Sequence, residues 1–300
     1  MPSLIATIKK CGLKCTWYKI KNTYFFPDKA VQSISARNGS YEYVKRYAYA
    51  ATASADRMTK GEKTIWVCWF QGFEQAPLLV KRCLASIHKY ASAYRVVELT
   101  DVNLRDYVQL PDYIWEKYAK GVISKTHMSD VVRFALLSEK GGIWIDSTTL
   151  LTGFLPTYIT DAPLFVYHSD QFGSSLLSVN FISSCAHHPL VEDTFLLLLE
   201  YWRHENRTVD YNTTALMWTI ATRKNEINSK LWREVLFVPT GLKEILFNTL
   251  SKPFSKEKWE QIQSLSPVHK LTYKFQEFGI DTNAPGTFYH QLFVLDNVTP

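Results

Sequence analysis

Residues 123–151 read ISKTHMSDVVRFALLSEKGGIWIDSTTLL, and this stretch organises the rest of the chain. Asp130 and Arg133 stand three apart, so on a helix they share a face. Val131, Phe134, Ala135 and Leu137 supply the apolar stripe of a helix packed on something larger. Gly141-Gly142 stops that helix, because glycine accepts the left-handed conformation a C-terminal cap needs. Ile143-Trp144-Ile145 is β-branched and aromatic, which predicts a short buried strand. Asp146 falls where the strand ends, with Ser147, Thr148 and Thr149 after it. In open α/β sheets ligands bind outside the carboxyl ends of strands. A carboxylate there is placed to hold a metal ion or a sugar hydroxyl. Spacing alone fits an ordinary helix-to-strand connection with a surface ion pair equally well.

The flanking sequence sets this stretch in an α/β frame. Residues 64–70, TIWVCWF, are a near-continuous apolar run, as expected of a strand covered on both faces. Over 77–91, Leu78, Leu79, Cys83, Ile87 and Tyr90 recur at helical spacing, and RVVEL at 95–99 is the next strand. Strand, helix, strand is a parallel crossover unit. A short helix is predicted over 112–119. Strands follow at 164–167 and 179–183, then a long amphipathic helix over 188–204 with Pro189 in its first turn. Another helix is expected over 210–223, a short strand at 236–238, and a late mixed segment at 268–273. Ahead of all this, 1–22 is a candidate basic amphipathic helix, 39–58 a second helical candidate, and 60–63 a hinge. The division is therefore an N-terminal extension, 1–62, and one α/β domain, 63–300.

The totals are those of a globular protein: 300 residues, 46% hydrophobic and 21% charged. Charge is uneven. Residues 1–63 hold 12 Lys and Arg against 4 Asp and Glu, a balance of +8; the remainder holds 22 against 24, a balance of −2. With Trp17, Tyr18, Tyr24, Phe25 and Phe26, that basic segment suits an anionic membrane surface. A merely solvated extension fits equally well. Nothing matches a nucleic-acid-binding motif, so no nucleic-acid partner is expected. The five cysteines, Cys11, Cys15, Cys68, Cys83 and Cys185, lack metal-site spacing and read as reduced thiols of a cytosolic protein. No apolar run approaches the roughly 20 residues of a spanning helix, and the N-terminus does not read as a secretion signal.

Taken together, Ser129-Asp130-Val131-Val132-Arg133 and Gly141-Gly142-Ile143-Trp144-Ile145-Asp146 resemble the sugar-nucleotide glycosyltransferases of the capsular polysaccharide synthesis type. These are relatives of glycosyltransferase family 32, whose signature is SDxxR, a spacer, then GG-aromatic-x-DxD. The opening strand with Trp66 and Trp69, the helix ending Leu199-Glu200-Tyr201-Trp202, and His269-Lys270-Leu271-Thr272-Tyr273-Lys274 resemble further family elements in the same order. The likeness covers roughly 63–275.

The resemblance implies a GT-A fold: a Rossmann-like, mainly parallel sheet flanked by helices, with a nucleotide-diphosphate sugar at the strand ends. It implies Mn²⁺ or Mg²⁺ on the donor diphosphate, because a hard cation with oxygen ligands stabilises charge developing on that leaving group. Asp146 and Arg133 are the implied catalytic residues. Trp66, Trp69, Asp130, Arg133, Ser147, Thr148, His269, Lys270 and Lys274 are the implied donor-binding residues, and Asp146 and His269 the implied metal ligands. Trp66 and His269 read as structural residues just as readily. The chain departs from the signature at Thr148, where the DxD motif asks for a second acid; Lys270 or Lys274 could then meet phosphate directly.

The expected activity is retaining transfer of a hexose from a nucleotide-diphosphate sugar, UDP-linked by expectation, to a growing glycan. The acceptor would be a lipid-linked or polysaccharide precursor of a bacterial capsule, O-antigen or other surface glycan. The basic N-terminus would hold the protein peripherally on the inner face of the plasma membrane. No residue announces itself as a nucleophile for double displacement; Asp170 and Glu200 are the candidates. The alternative is a non-catalytic sugar-nucleotide-binding or scaffold subunit of a polysaccharide synthesis complex.

Overall fold

The computed structural model describes residues 8–9, 12–14, 16–17, 38–169 and 177–295. Most of the helix read over 1–22, together with Cys11, Cys15 and Asp170, lies outside the described residues.

Five strands form the central sheet: β1 Thr64–Cys68, β2 Arg95–Leu99, β3 Gly142–Ile145, β5 Leu164–His168 and β6 Leu177–Ser184. Their order is β2-β1-β3-β6-β5. β1 pairs in parallel with β2 and β3, whereas β6 pairs antiparallel with both β3 and β5. Two reversals bring β5 back to the direction of β1, so β6 alone runs against the other four. The remaining strands, β4 Thr149–Leu151 and β7 Val268–Lys270, make a separate antiparallel pair.

Alternation along each strand builds one core on either side of the sheet. Ile65, Val67, Ile143, Ile145, Phe165 and Phe181 pack on the side of α1, Leu78–Tyr90, around its Ile87. Trp66, Cys68, Trp144, Val166 and Ile182 face the opposite way. Following α2, Asp112–Ala119, that second side is covered by α3, Lys125–Glu139, α4, Pro189–His204, and α5, Thr213–Thr222. Beyond these lie α6, Glu226–Glu234, and α7, Lys256–Leu265. Ser124 caps α3 by accepting from the His127 amide, and His188 caps α4 by accepting from Leu190.

The double glycine is a structural necessity. Gly141 and Gly142 have φ of 65° and 95°. A Cβ on Gly142 would lie 2.5 Å from the Thr64 carbonyl oxygen, and one on Gly141 2.7 Å from that of Ser184. The chain therefore leaves α3 and enters β3 with no room for side chains. Trp66 is part of this seam: it is buried, and its Nε1 donates to the Gly141 carbonyl at 2.9 Å.

Three expectations change. The helix read over 39–58 gives way after residue 44 to a 3₁₀ stretch, Lys45–Ala50, and a loop. Tyr43, Val44 and Tyr47 are buried in the main core, and both tyrosine hydroxyls donate to Glu205, so residues 38–62 lie against the domain. The hinge read at 60–63 is clamped instead: the Glu62 amide donates to Lys140, and a Cβ on Gly61 would meet Gly142 and Ser184 at 2.9 Å. Residues 236–238 are not a strand, although the Val238 carbonyl accepts from the His168 amide at 2.8 Å. Among the described residues no helix is long and apolar enough to cross a membrane. Cys68, Cys83 and Cys185 are free thiols.

Candidate active site

A cleft of about 480 Å³ opens at the C-terminal ends of β1, β3 and β5. Its centre is Arg133. This side chain is only 3% exposed, because α3 lies on the sheet and turns it towards the end of β3. One guanidinium nitrogen donates to Asp130 Oδ1 and another to Asp146 Oδ1 at 3.0 Å. The two carboxylates that the sequence placed on a helix and at a strand end are thus joined by one arginine. A buried arginine needs such partners, since its desolvation is otherwise uncompensated.

The surroundings fix the geometry further. Trp144 and Asp146 are two residues apart at the end of a strand, so they point to the same side. The Trp144 indole donates to Asp146 Oδ1 at 2.9 Å, and the Arg133 guanidinium lies 4.8 Å from the ring centroid. Asp130 Oδ2 accepts from the Thr214 hydroxyl at 2.7 Å, tying α3 to α5. Both Asp130 oxygens are therefore occupied. Asp146 retains Oδ2, and its side chain is 26% exposed to the cleft.

Lys270 approaches from β7. Register places it opposite Thr149. Its Nζ donates to the Thr148 hydroxyl and to the Leu271 carbonyl, and it stands 3.9 Å from Asp146 Oδ2. Ser147 and Trp69 also line the cleft, the latter edge-on to Tyr273 at 5.3 Å. The structure thus brings together Asp130, Arg133, Asp146, Ser147, Lys270 and Trp69, with Thr148 just beneath them.

Other expected site residues stand elsewhere. Trp66 is a core residue on the double-glycine seam. Lys274 is solvent-exposed and pairs with Glu277 at 3.2 Å, away from the cleft lining. His269 is fully buried, with Nε2 2.9 Å from the Thr152 hydroxyl; burial pushes its pKa down to about 4. It follows Lys270's neighbour rule on a strand: if Lys270 faces the cleft, His269 faces away. Glu200 sits on α4 with Tyr49, Arg203 and His204, remote from the cleft.

Glu244 lines the cleft without any sequence signal. It accepts from Thr240 at 3.3 Å and stands 3.7 Å from Lys243 Nζ. Lys243 is fully buried, with no hydrogen-bond partner and the Tyr167 ring 5.5 Å away, and burial pushes its pKa down to about 8.

The resemblance asks whether these residues fit a divalent metal. Asp146 Oδ2 is one hard ligand. The Thr148 oxygen already accepts from an ammonium, and His269 points away. No group of three His, Cys, Asp or Glu among the described residues is spaced to hold a metal ion. The ligand set implied by a DxD motif is not assembled.

The sequence matches the family model described as capsular polysaccharide synthesis protein over residues 22–292. The chain belongs to the capsular polysaccharide synthesis family. The family match takes in residues 38–62, which pack on the core, as well as the cleft. No curated protein matches this family member. Among solved structures it is similar to a PaToxG glycosyltransferase at 13% identity, covering 85% of this chain and 91% of that one, with a TM-score of 0.41.

Proposed function

We propose that this member of the capsular polysaccharide synthesis family is a glycosyltransferase of GT-A type. It would take a hexose from a nucleotide-diphosphate sugar, UDP-linked in our reading, and pass it with retention to a lipid-linked or polysaccharide acceptor. The observation that carries this reading is the convergence of Arg133, Asp146, Asp130 and Lys270 at the C-terminal strand ends. Ligands of open α/β sheets bind at that edge.

The chemistry follows from those groups. The bond between the anomeric carbon and the diphosphate oxygen breaks, its electron pair leaving with the diphosphate. The acceptor hydroxyl oxygen bonds to the same carbon and its proton passes to the departing phosphate. Fixed cations beside the developing negative charge lower that barrier, because they need no reorganisation as it forms. Arg133 is held rigidly by two carboxylates, so it serves as a fixed positive charge and orients Asp146 towards the sugar. Trp69 and Tyr273 offer ring faces and edges for a base or sugar. The basic N-terminus would bring the enzyme to the membrane surface where a lipid-linked acceptor resides.

The test is a thermal-shift panel of UDP-, GDP- and CDP-sugars, because a ligand that binds the folded state raises its melting temperature with occupancy. At least one should shift wild type. Asp146→Ala should stay folded and lose transfer, whereas full transfer by that variant would sink the assignment. Nucleotide-sugar binding with neither hydrolysis nor transfer would favour a non-catalytic binding subunit, a reading to which Thr148 in place of the second acid lends its weight.

A further inference from the structure

The corner that should hold a metal holds a lysine instead. Thr148 stands where the DxD signature places its second acid, and its hydroxyl accepts from Lys270 Nζ. Asp146 Oδ1 is taken by Arg133 at 3.0 Å and Trp144 at 2.9 Å, which leaves Oδ2, and Lys270 Nζ stands 3.9 Å from it. A divalent ion on that oxygen would sit about 2 Å from it, beside an ammonium that already neutralises it.

Charge counts point the same way. Of the residues lining the cleft, Lys125, Arg133 and Lys270 balance Asp130, Asp146 and Glu244, three against three. Lys243, buried beneath Glu244, adds one positive charge. A dication is drawn to surplus carboxylate, and this cluster has none. A diphosphate is drawn to surplus cation, which it has. Lys270 is also held in place, by a side-chain and a main-chain acceptor, so little of its rotamer freedom is left to lose on binding an anion.

We infer that Lys270, seated on Thr148, is the cation that binds the donor diphosphate in this chain, so that donor binding needs no divalent metal. The inference rests on the nucleotide-sugar reading above. It makes Thr148 the partner of a lysine rather than a degraded metal ligand.

Calorimetric titration of UDP, GDP and CDP into the full chain, in EDTA and again with Mn²⁺, tests it. At least one should bind in EDTA with a Kd within about threefold of its Mn²⁺ value. Lys270→Met should weaken that binding by about tenfold or more, as expected for a lost charge-assisted contact to phosphate. Lys270→Arg should restore it, and melting curves should show both variants folded. Binding that appears only with Mn²⁺ overturns the inference, and this comparison needs no variant. Binding in EDTA that Lys270→Met leaves unchanged overturns the role of Lys270. Absence of nucleotide binding under both conditions instead removes the nucleotide-sugar reading itself, and the inference with it.

Discussion

The two ends of the central sheet carry very different cavities. The cleft at the C-terminal strand ends measures about 480 Å³. A larger groove of about 810 Å³ lies at the opposite end, bordered by residues 58–63, Tyr90, Tyr94, Phe154 and the start of β3. The lining residues of each balance in charge, Lys243 beneath the cleft apart, but the charges differ in kind. Lys60, Glu62, Lys63 and Asp161 in the groove are all exposed. In the cleft Asp130 and Arg133 are buried and Lys243 sits fully buried below. Burying charge is costly and is tolerated only where other groups compensate it. The smaller cavity therefore carries the energetic investment in buried charge.

Removing the arginine should have the largest effect on the cleft. Arg133→Met leaves Asp130 buried with only Thr214 and frees Asp146 from its anchor. The loss of one partner from a buried ion pair should cost about 3–5 kcal/mol, read by denaturant unfolding, together with nucleotide binding. The control across the sheet is Lys63→Met, an exposed charge expected to change stability by less than about 0.5 kcal/mol. Equal effects from the two variants would dissolve the distinction.

Acid should reach two buried histidines next. His269 and His188 are buried, and burial pushes each pKa from 6.5 down to about 4. Both are neutral in the folded state while the unfolded chain protonates near 6.5. The unfolded state thus binds more protons between those values, so stability is full above pH 6.5 and falls as pH drops towards 4. Each histidine should account for about 3 kcal/mol of that loss. The double variant His188→Asn with His269→Gln should flatten the unfolding free energy measured between pH 6.5 and 4. A slope unchanged from wild type would assign acid sensitivity elsewhere.

How far the sequence went depends on which interactions were local. Asp130 and Arg133 are one helical turn apart and Asp146 ends the next strand, so spacing alone could place them together. The glycine pair was legible for the same reason: a helix stop and a strand start leave only a few backbone routes. Trp144 was half legible, since two-residue periodicity puts it on the face of Asp146, but its role as donor was read only as burial. Thr214 lies 84 residues from the Asp130 it meets, and no local pattern could forecast that contact, the place of Glu244 on the cleft or the packing of Lys243 against Tyr167. His269 failed for an instructive reason. Neighbours on a strand face opposite ways, so His269 and Lys270 could not both line one cleft, and pairing with Thr149 decided for the lysine. The helix read over 39–58 holds only to residue 44, beyond which the chain tightens into a 3₁₀ stretch and then a loop, while Tyr43 and Tyr47, one helical turn apart, both reach the Glu205 carboxylate.

A smaller effect is expected from Lys243. Its ammonium is charged below pH 8 and desolvated in the fold, while the unfolded lysine titrates near 10.5. The unfolded state binds more protons between these values, so the penalty is full below pH 8 and relieved as pH rises towards 10.5. Lys243→Met should therefore raise stability at pH 7 by about 1–2 kcal/mol, after allowing for the Glu244 partner it forfeits. It should also remove the rise of stability between pH 8 and 10. Destabilisation at pH 7 would mean that Glu244 depends on this lysine more than the lysine costs.

The smallest effect belongs to the groove. Phe154 is 71% exposed, and its ring meets Tyr90 edge-on at 5.8 Å. An exposed aromatic contact of this kind is worth little, so Phe154→Ser should change unfolding free energy by less than about 0.5 kcal/mol. It should also leave nucleotide affinity as in wild type, because no charged group of the cleft touches this end of the sheet. The outcome that matters is a loss of nucleotide binding or transfer in this folded variant. Such a loss would couple the two ends through β3, whose first residue borders the groove and whose last precedes Asp146. The rigid double-glycine seam would then be the element that transmits it.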